Sequence, residues 1–222
     1  MVKPLLFCVL LACTIVQLPA QSVPAEYKFK IGITYDVSAS GRNSQMTSWY
    51  SGGATMAMSA GSKNDMFIVY DISSNQAVTF MPAQKMYMTM DMDKMKQRMA
   101  KMGKTSGAPK DYKISKTGKT DTIAGYACEQ WLISTNESKS LVWVSNDVGI
   151  DGVSFEENIA TLFQAMPGTA GFPALNGVKG VMLKLATTSL KDNKTVSVEA
   201  RSINRDGLVF KTEGFKGMAM PG

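Results

Sequence analysis

The sequence has no histidine among its 222 residues. Histidine is the side chain whose ordinary pKa lies nearest neutral pH, and it is also the commonest metal ligand in proteins. Its absence excludes Ser-His and Cys-His pairings and most general-base chemistry at neutral pH. The chain also lacks the commonest metal ligand, and we predict neither a metal site nor a cofactor.

Cysteine is scarce as well, and two of the three cysteines, Cys8 and Cys13, lie near the start of the chain. Residues 1–20 resemble a secretory signal peptide: Lys3 supplies the positive charge, residues 5–16 are apolar, and cleavage after Ala20 fits the pattern. The apolar run is too short to span a membrane. We predict export to the periplasm or the exterior, with residues 21–222 forming a single domain.

Cleavage would leave Cys128 as the only thiol, so the domain must be stabilised by its core and not by a disulfide. Residues 10–13 (LLAC) also resemble a lipobox, which would make Cys13 a lipidated N-terminus. Lipidation of Cys13 and ordinary cleavage stay open as alternatives.

The rest of the chain contains many short alternating segments punctuated by Gly, Asn and Asp, which is typical of antiparallel strands. Residues 27–37 read as one strand, with Tyr27, Phe29, Ile31, Ile33 and Tyr35 on one face. Helical spacing occurs in two places, at residues 93–102 and 155–166. The pattern predicts at least seven strands, with two helices in the connections.

A methionine-rich stretch, residues 80–102, joins a predicted strand to the first predicted helix. Met86, Met88 and Met90 alternate with polar residues, which indicates a half-buried strand. Beyond Asp91 the period changes, and an N-cap at Asp91 or Asp93 predicts a helix. The helix stripe consists of Met92, Met95, Met99 and Met102. We predict that these seven methionines face one interior and bind its ligand.

Several motifs resemble a bacterial family of exported proteins without an assigned function. The first is a strand carrying Asp71, a hairpin and a Lys85-x-Tyr87 strand. The second is an Ile-x-Gly-Tyr-x-Cys-Glu hairpin, followed by a Trp-Val strand. Its residues are Ile123, Gly125, Tyr126, Cys128, Glu129, Trp143 and Val144. The third is a closing Phe…Gly-Phe-Lys-x-Met segment from Phe210 to Met218.

That family in turn resembles the lipoprotein carriers LolA and LolB. The resemblance implies a mainly β (α+β) fold: a curved, unclosed antiparallel sheet with two short helices over its concave side. It also implies a cavity for acyl chains between sheet and helices, and no catalytic residues. Because the ligand is inferred from the fold, it remains an expectation.

The methionines have three interpretations. Met fills irregular gaps, so a one-sided stripe is what a packed core produces. The same stripe could line a cavity for a lipid or a hydrophobic peptide. Thioethers also suit Cu(I), and Met86-x-Met88 and Met92-x-x-Met95 have suitable spacings, but the usual companions, His or a second Cys, are absent.

A basic segment extends from Lys94 to Lys119, with eight lysines and Arg98 against a single acid, Asp111. It is either a solvated surface or a patch that attracts an anionic membrane surface, through residues such as Lys94, Arg98 and Lys101. The segment lacks interleaved aromatics, so we do not expect nucleic-acid binding. The sequence thus predicts a non-enzymatic periplasmic protein that binds an acyl chain, lipid or lipoprotein. A Cu(I)-handling protein and a structural protein with a filled core are the alternatives.

Overall fold

The computed structural model of the chain describes residues 23–39, 41–52, 55–60, 66–94, 97, 113–150 and 178–218. Strands account for most of these residues. In chain order they are β1 (Glu26–Phe29), β2 (Ile31–Ala39), β3 (Arg42–Tyr50), β4 (Thr55–Ala60), β5 (Met66–Asp71), β6 (Gln76–Met81), β7 (Met86–Asp91), β8 (Lys113–Ile123), β9 (Tyr126–Ser134), β10 (Ser138–Ser145), β11 (Val181–Ser189), β12 (Thr195–Asn204), β13 (Leu208–Lys211) and β14 (Lys216–Gly217).

Twelve strands form one sheet in the order β14-β7-β6-β5-β4-β3-β2-β12-β11-β10-β9-β8. The sheet consists of two meanders, β2 to β7 and β8 to β12, which join where β2 pairs with β12. Neighbouring strands are antiparallel except for the short parallel pair of β14 and β7. The two edge strands, β14 and β8, do not pair with each other, so the sheet is not closed. The predicted mainly β fold with an unclosed antiparallel sheet is confirmed.

The sheet is curved, and contacts between strands that are not neighbours show which side is concave. The Tyr35 hydroxyl on β2 donates a hydrogen bond of 2.9 Å to the carbonyl of Met182 on β11, with β12 between them. Three cross-strand partners, Val37, Val198 and Leu185, line the same face and belong to the larger core cluster. The concave side therefore carries this core.

A second core lies on the opposite face of the β3–β7 region, under the two-stranded sheet of β1 and β13. It consists mainly of aromatic rings. Phe80 is fully buried at its centre, with ring centroids 4.9 Å from Phe210 and 5.2 Å from Phe215. Such offset and edge-on ring pairs stabilise beyond their burial of apolar area. This aromatic core holds the two-stranded sheet against the large one.

The prediction of one strand over residues 27–37 is wrong. The chain breaks at Lys30, so β1 pairs with β13 while β2 enters the large sheet. Tyr27 and Phe29 consequently lie in the aromatic core, whereas Ile31 lies in the concave-side core. Alternation continues through the break, and for this reason the local pattern does not reveal it.

The predicted helix after β7 begins inside the described residues. The Asp91 carboxylate accepts a hydrogen bond of 2.9 Å from the backbone N–H of Lys94, which is the geometry of an N-cap. Met92 N–H donates to the Asn75 carbonyl at 3.0 Å, tying this start to the β5–β6 turn. Most of the predicted helix 93–102, all of the predicted helix 155–166 and the predicted signal peptide lie outside the described residues.

Candidate functional site

Eight methionines on β3 to β7 share the concave face of the sheet. The strand register from β3 to β7 runs without a bulge, and residues directly opposite each other share a face. Tyr50, Met56, Tyr70, Ala77 and Met90 form one transverse row, and Ser48, Met58, Ile68, Thr79 and Met88 form the next. A third row contains Met46, Ala60, Met66, Met81 and Met86.

We call the eight methionines of these rows the methionine face. They are Met46, Met56, Met58, Met66, Met81, Met86, Met88 and Met90. Eight of the 17 methionines of the chain thus lie on five adjacent strands. With strands about 4.8 Å apart and rows about 6.8 Å apart, the face measures roughly 19 by 14 Å.

Burial decreases across the methionine face in two directions. In the first row Met56 is only 4% exposed, whereas in the third row Met66 is 46% exposed. On β7, Met86, Met88 and Met90 are all half-buried. In the middle of the sheet, by contrast, the concave side is filled by fully buried aliphatic side chains such as Leu185 and Val142. The β3–β7 end of the face is therefore only partly covered.

The methionine face borders an edge of the sheet. β14 pairs with β7 at Met86 and Tyr87 only. Beyond Tyr87, no strand among the described residues pairs with β7 on this side. The backbone next to Met88 and Met90 therefore belongs to an edge strand, where pairing groups are open to a further chain or to water.

The structure brings together part of the predicted site. Met86, Met88 and Met90 lie on the concave side, and Met92 is 5% exposed within the concave-side core. Met95, Met99 and Met102 lie outside the described residues. Five members of this face were not in the predicted site: Met46, Met56, Met58, Met66 and Met81. The available signal was weak: Met66 and Met81 stand at equal distances from the β5–β6 turn, so a hairpin in that register pairs them.

The first and third family motifs meet on the opposite face, in the aromatic core. The Lys85 ammonium lies 5.2 Å from the centroid of the Phe215 ring, and Tyr87 lies 5.8 Å from Phe80, centroid to centroid. Lys216 N–H donates to the Lys85 carbonyl at 2.9 Å, and Met218 N–H donates to that of Tyr87 at 2.8 Å. These residues dock the C-terminal segment on β7, so their role is structural.

Asp71, which begins the first motif, caps the β5–β6 turn. Its carboxylate accepts backbone hydrogen bonds from Ser73 at 3.0 Å and Ser74 at 3.3 Å. Burial by itself raises the pKa of Asp71, but the hydrogen bonds from both serines outweigh it and lower the pKa below the usual value. Asp71 therefore stabilises a turn.

The second motif forms the β8–β9 hairpin. Its turn has positive φ at Ala124 (49°) and Gly125 (85°), as a type I′ turn requires. Cys128 is buried and its thiol donates to the Tyr126 carbonyl at 3.4 Å, while burial raises the pKa of the Cys128 thiol. A buried thiol of raised pKa is not activated for catalysis. The Tyr126 hydroxyl accepts a 3.0 Å hydrogen bond from Nε of Arg205.

The charged groups predicted for the site are separated in the structure, because β8 lies at the edge of the large sheet opposite to β7. Among the described residues no three His, Cys, Asp or Glu side chains come together as a metal site. Of the basic segment, Lys94 is exposed, and Lys113, Lys116 and Lys119 are exposed on the edge strand β8. The described helical residues include no helix long and apolar enough to cross a bilayer.

Comparison with known proteins identifies a family without an assigned function. The model of a domain of unknown function (DUF4412) matches residues 33–208. No curated protein matches the chain.

Several solved structures resemble the chain. PNGF-II is 17% identical, with a TM-score of 0.40 over 81% of this chain and 28% of that one. MucB in the MucA/MucB complex of Pseudomonas aeruginosa is 10% identical, with a TM-score of 0.43 over 78% of this chain and 50% of that one.

A LolA superfamily protein, NE2245 from Nitrosomonas europaea, is also among these structures. It is 10% identical, with a TM-score of 0.29 over 80% of this chain and 85% of that one. The chain spans only about 28% of the length of PNGF-II and half that of MucB.

Proposed function

From the premise that this chain belongs to the DUF4412 family, whose model matches residues 33–208, we propose that it is a non-enzymatic binding protein for a hydrophobic ligand. The ligand is an acyl chain, a lipid or the lipid moiety of a lipoprotein, and it lies on the methionine face. The observation that carries the proposal is the graded exposure of this face. A continuous apolar surface turns from buried at Met56 to 46% exposed at Met66.

The chemistry of the face supports a ligand of variable shape. Met has three rotatable bonds and a polarisable thioether, so a methionine surface can repack around chains of different length. A surface of this size that is apolar and partly exposed on a protein is typical of an interaction site. Tyr70 and Ile68 supply rigid neighbours within the same rows.

The protein would act outside the cytoplasm, in the periplasm or after secretion. The signal-peptide pattern of residues 1–20 supports this location. The exposed Lys94, close to the methionine face, and the lysines of β8 would draw the protein to an anionic membrane surface. On the same proposal, the ligand would be covered from the helix side by Met92, Met95, Met99 and Met102. Arg98 and Lys101 would be turned outward.

Binding of a fluorescent fatty acid to purified mature protein tests the proposal. In the Met88→Glu variant, a carboxylate replaces a half-buried thioether in the middle of β7. Because an unpaired polar group in an apolar site costs at least roughly 1–3 kcal/mol, we expect fatty-acid affinity to fall by at least about tenfold. Native mass spectrometry of the parent should also show co-purified lipid.

A matched control carries the same new charge on the other face. Asn43 is exposed on β3 and has the opposite orientation to Met46. Asn43→Glu should bind the fatty acid as the parent does. If the parent takes up no probe and carries no lipid, the hydrophobic-ligand function is wrong and the methionines are core. If Asn43→Glu weakens binding as much as Met88→Glu, the ligand does not lie on the methionine face.

A further inference from the structure

Three methionines of the outermost row come from three adjacent strands. Met81 on β6 is directly opposite Met86 on β7. The β5–β6 register pairs Phe67 with Phe80, and continuing it by one residue places Met66 opposite Met81. Directly opposite residues have Cβ atoms about 4.5–5.5 Å apart, so the three methionines occupy adjacent positions of one row across the sheet.

The connection between β6 and β7 holds two of these methionines in place. A short 3₁₀ turn, Pro82–Gln84, links Met81 to Lys85, whose φ of 53° turns the chain back. Lys85 N–H donates to the Pro82 carbonyl at 3.3 Å, and the parallel pairing of Lys216 with Met86 fixes the outer side of β7. Because the backbone at these two residues is already ordered, ion binding costs little conformational entropy, and such preorganisation favours affinity.

The chemistry of three neutral thioethers selects for a soft cation. Thioether sulfur suits Cu(I), whereas hard divalent cations require oxygen ligands. The Lys85 ammonium lies on the Phe215 ring at the other face of the sheet, and the exposed Lys216, which pairs with Met86, can extend its ammonium into water. We propose that Met66, Met81 and Met86 form a binding site for Cu(I) or its redox-inert analogue Ag(I).

This site differs from the copper sites that the linear sequence indicates. Met86 and Met88 are two residues apart on one strand, about 6.8 Å along it, which is farther apart than cross-strand neighbours. In the proposed set Met81 lies one strand spacing from both Met66 and Met86, so the three flexible side chains can converge on an ion above Met81. Met66, at 46% exposure, leaves the site open to an incoming ion. The site depends on sheet register and not on the proposed hydrophobic ligand.

Titration with Cu(I) and, in chloride-free buffer, Ag(I) tests the site on the delipidated mature protein, against a chromophoric competitor for the ion. We expect the parent to bind a single ion per chain, with X-ray absorption at the copper edge showing a shell of sulfur ligands only. Met81→Leu removes the central thioether at similar volume. The affinity of this variant for Cu(I) should fall by at least about tenfold, because even the loss of a residue that only supports a metal ligand lowers metal affinity by this much.

Two further variants keep the test decisive. Met66→Leu changes an exposed side chain that packing does not require, so it should weaken binding without affecting the fold. Met56→Leu, in the buried first row, is the matched control and should leave affinity unchanged. The proposal would be overturned if the parent binds no ion, or if Met81→Leu and Met66→Leu both keep the affinity of the parent. It would also be overturned if Met56→Leu weakens binding as much as these two variants do. Fatty-acid binding in the same variants is recorded separately, so that failure of one site is distinguished from failure of the other.

Discussion

Alanine substitution along the methionine face should reveal whether it is a binding surface or a packed core. Met56 is 4% exposed, and replacing a methionine so buried by alanine costs roughly 2–5 kcal/mol of unfolding free energy, because a cavity remains. Met88 is half-buried, so replacing it by alanine should remove about half of the free energy of burying a methionine side chain, or about 1 kcal/mol, and leave no enclosed cavity. Met66 is 46% exposed and should change stability by less than about 0.5 kcal/mol.

Urea denaturation followed by circular dichroism measures these differences in unfolding free energy, provided that the variants share the same dependence of unfolding free energy on urea concentration. All three variants should fold, since a domain is stable by about 5–15 kcal/mol. Fatty acid at 100 times its dissociation constant should add about 2.7 kcal/mol to the parent and clearly less to Met88→Ala. If Met88→Ala lowers the unfolding free energy as much as Met56→Ala does, this prediction is wrong. It would mean that the β7 methionines are packed as tightly as the core.

Three further predictions concern the scaffold. Phe80→Ala should cost roughly 3–5 kcal/mol in urea denaturation, because this ring is fully buried among Tyr27, Phe210 and Phe215; a loss below about 1.5 kcal/mol would contradict a central role for it. Gly32→Ala should cost about 1–3 kcal/mol and shift tryptophan fluorescence, since a Cβ at this position would overlap the Trp49 ring; an unchanged spectrum would be inconsistent with this contact. Burial raises the pKa of Tyr70 to about 12, so the folded state retains a proton that the unfolded state loses near pH 10. The parent should therefore lose stability between pH 10 and 12, by up to about 1.4 kcal/mol per pH unit for this group, whereas Tyr70→Phe should lose less over the same interval.

The fold class and most of the strands could be predicted from the sequence. The alternation of apolar and polar residues is local, and it predicted a sheet of at least seven antiparallel strands, which the twelve-stranded sheet exceeds. The change of period after β7 placed the N-cap at Asp91 or Asp93 for the same reason, and in the structure the cap is Asp91. The family motifs were also readable from the sequence, but their arrangement in space was not. Their residues dock the C-terminal segment and close hairpins, which a linear motif cannot distinguish from a functional role.

Which faces meet, and which residues they bring together, depends on contacts between distant parts of the chain. Residues 27–37 alternate without interruption, yet β1 leaves the large sheet at Lys30 because its partner, β13, lies about 180 residues later in the chain. Likewise, Met66, Met81 and Met86 are separated along the sequence and become neighbours only through the register of three strands. Periodicity shows which side of a strand is apolar. Register between strands is a non-local property, so it decides whether the methionines form a continuous face and which of them can share a ligand.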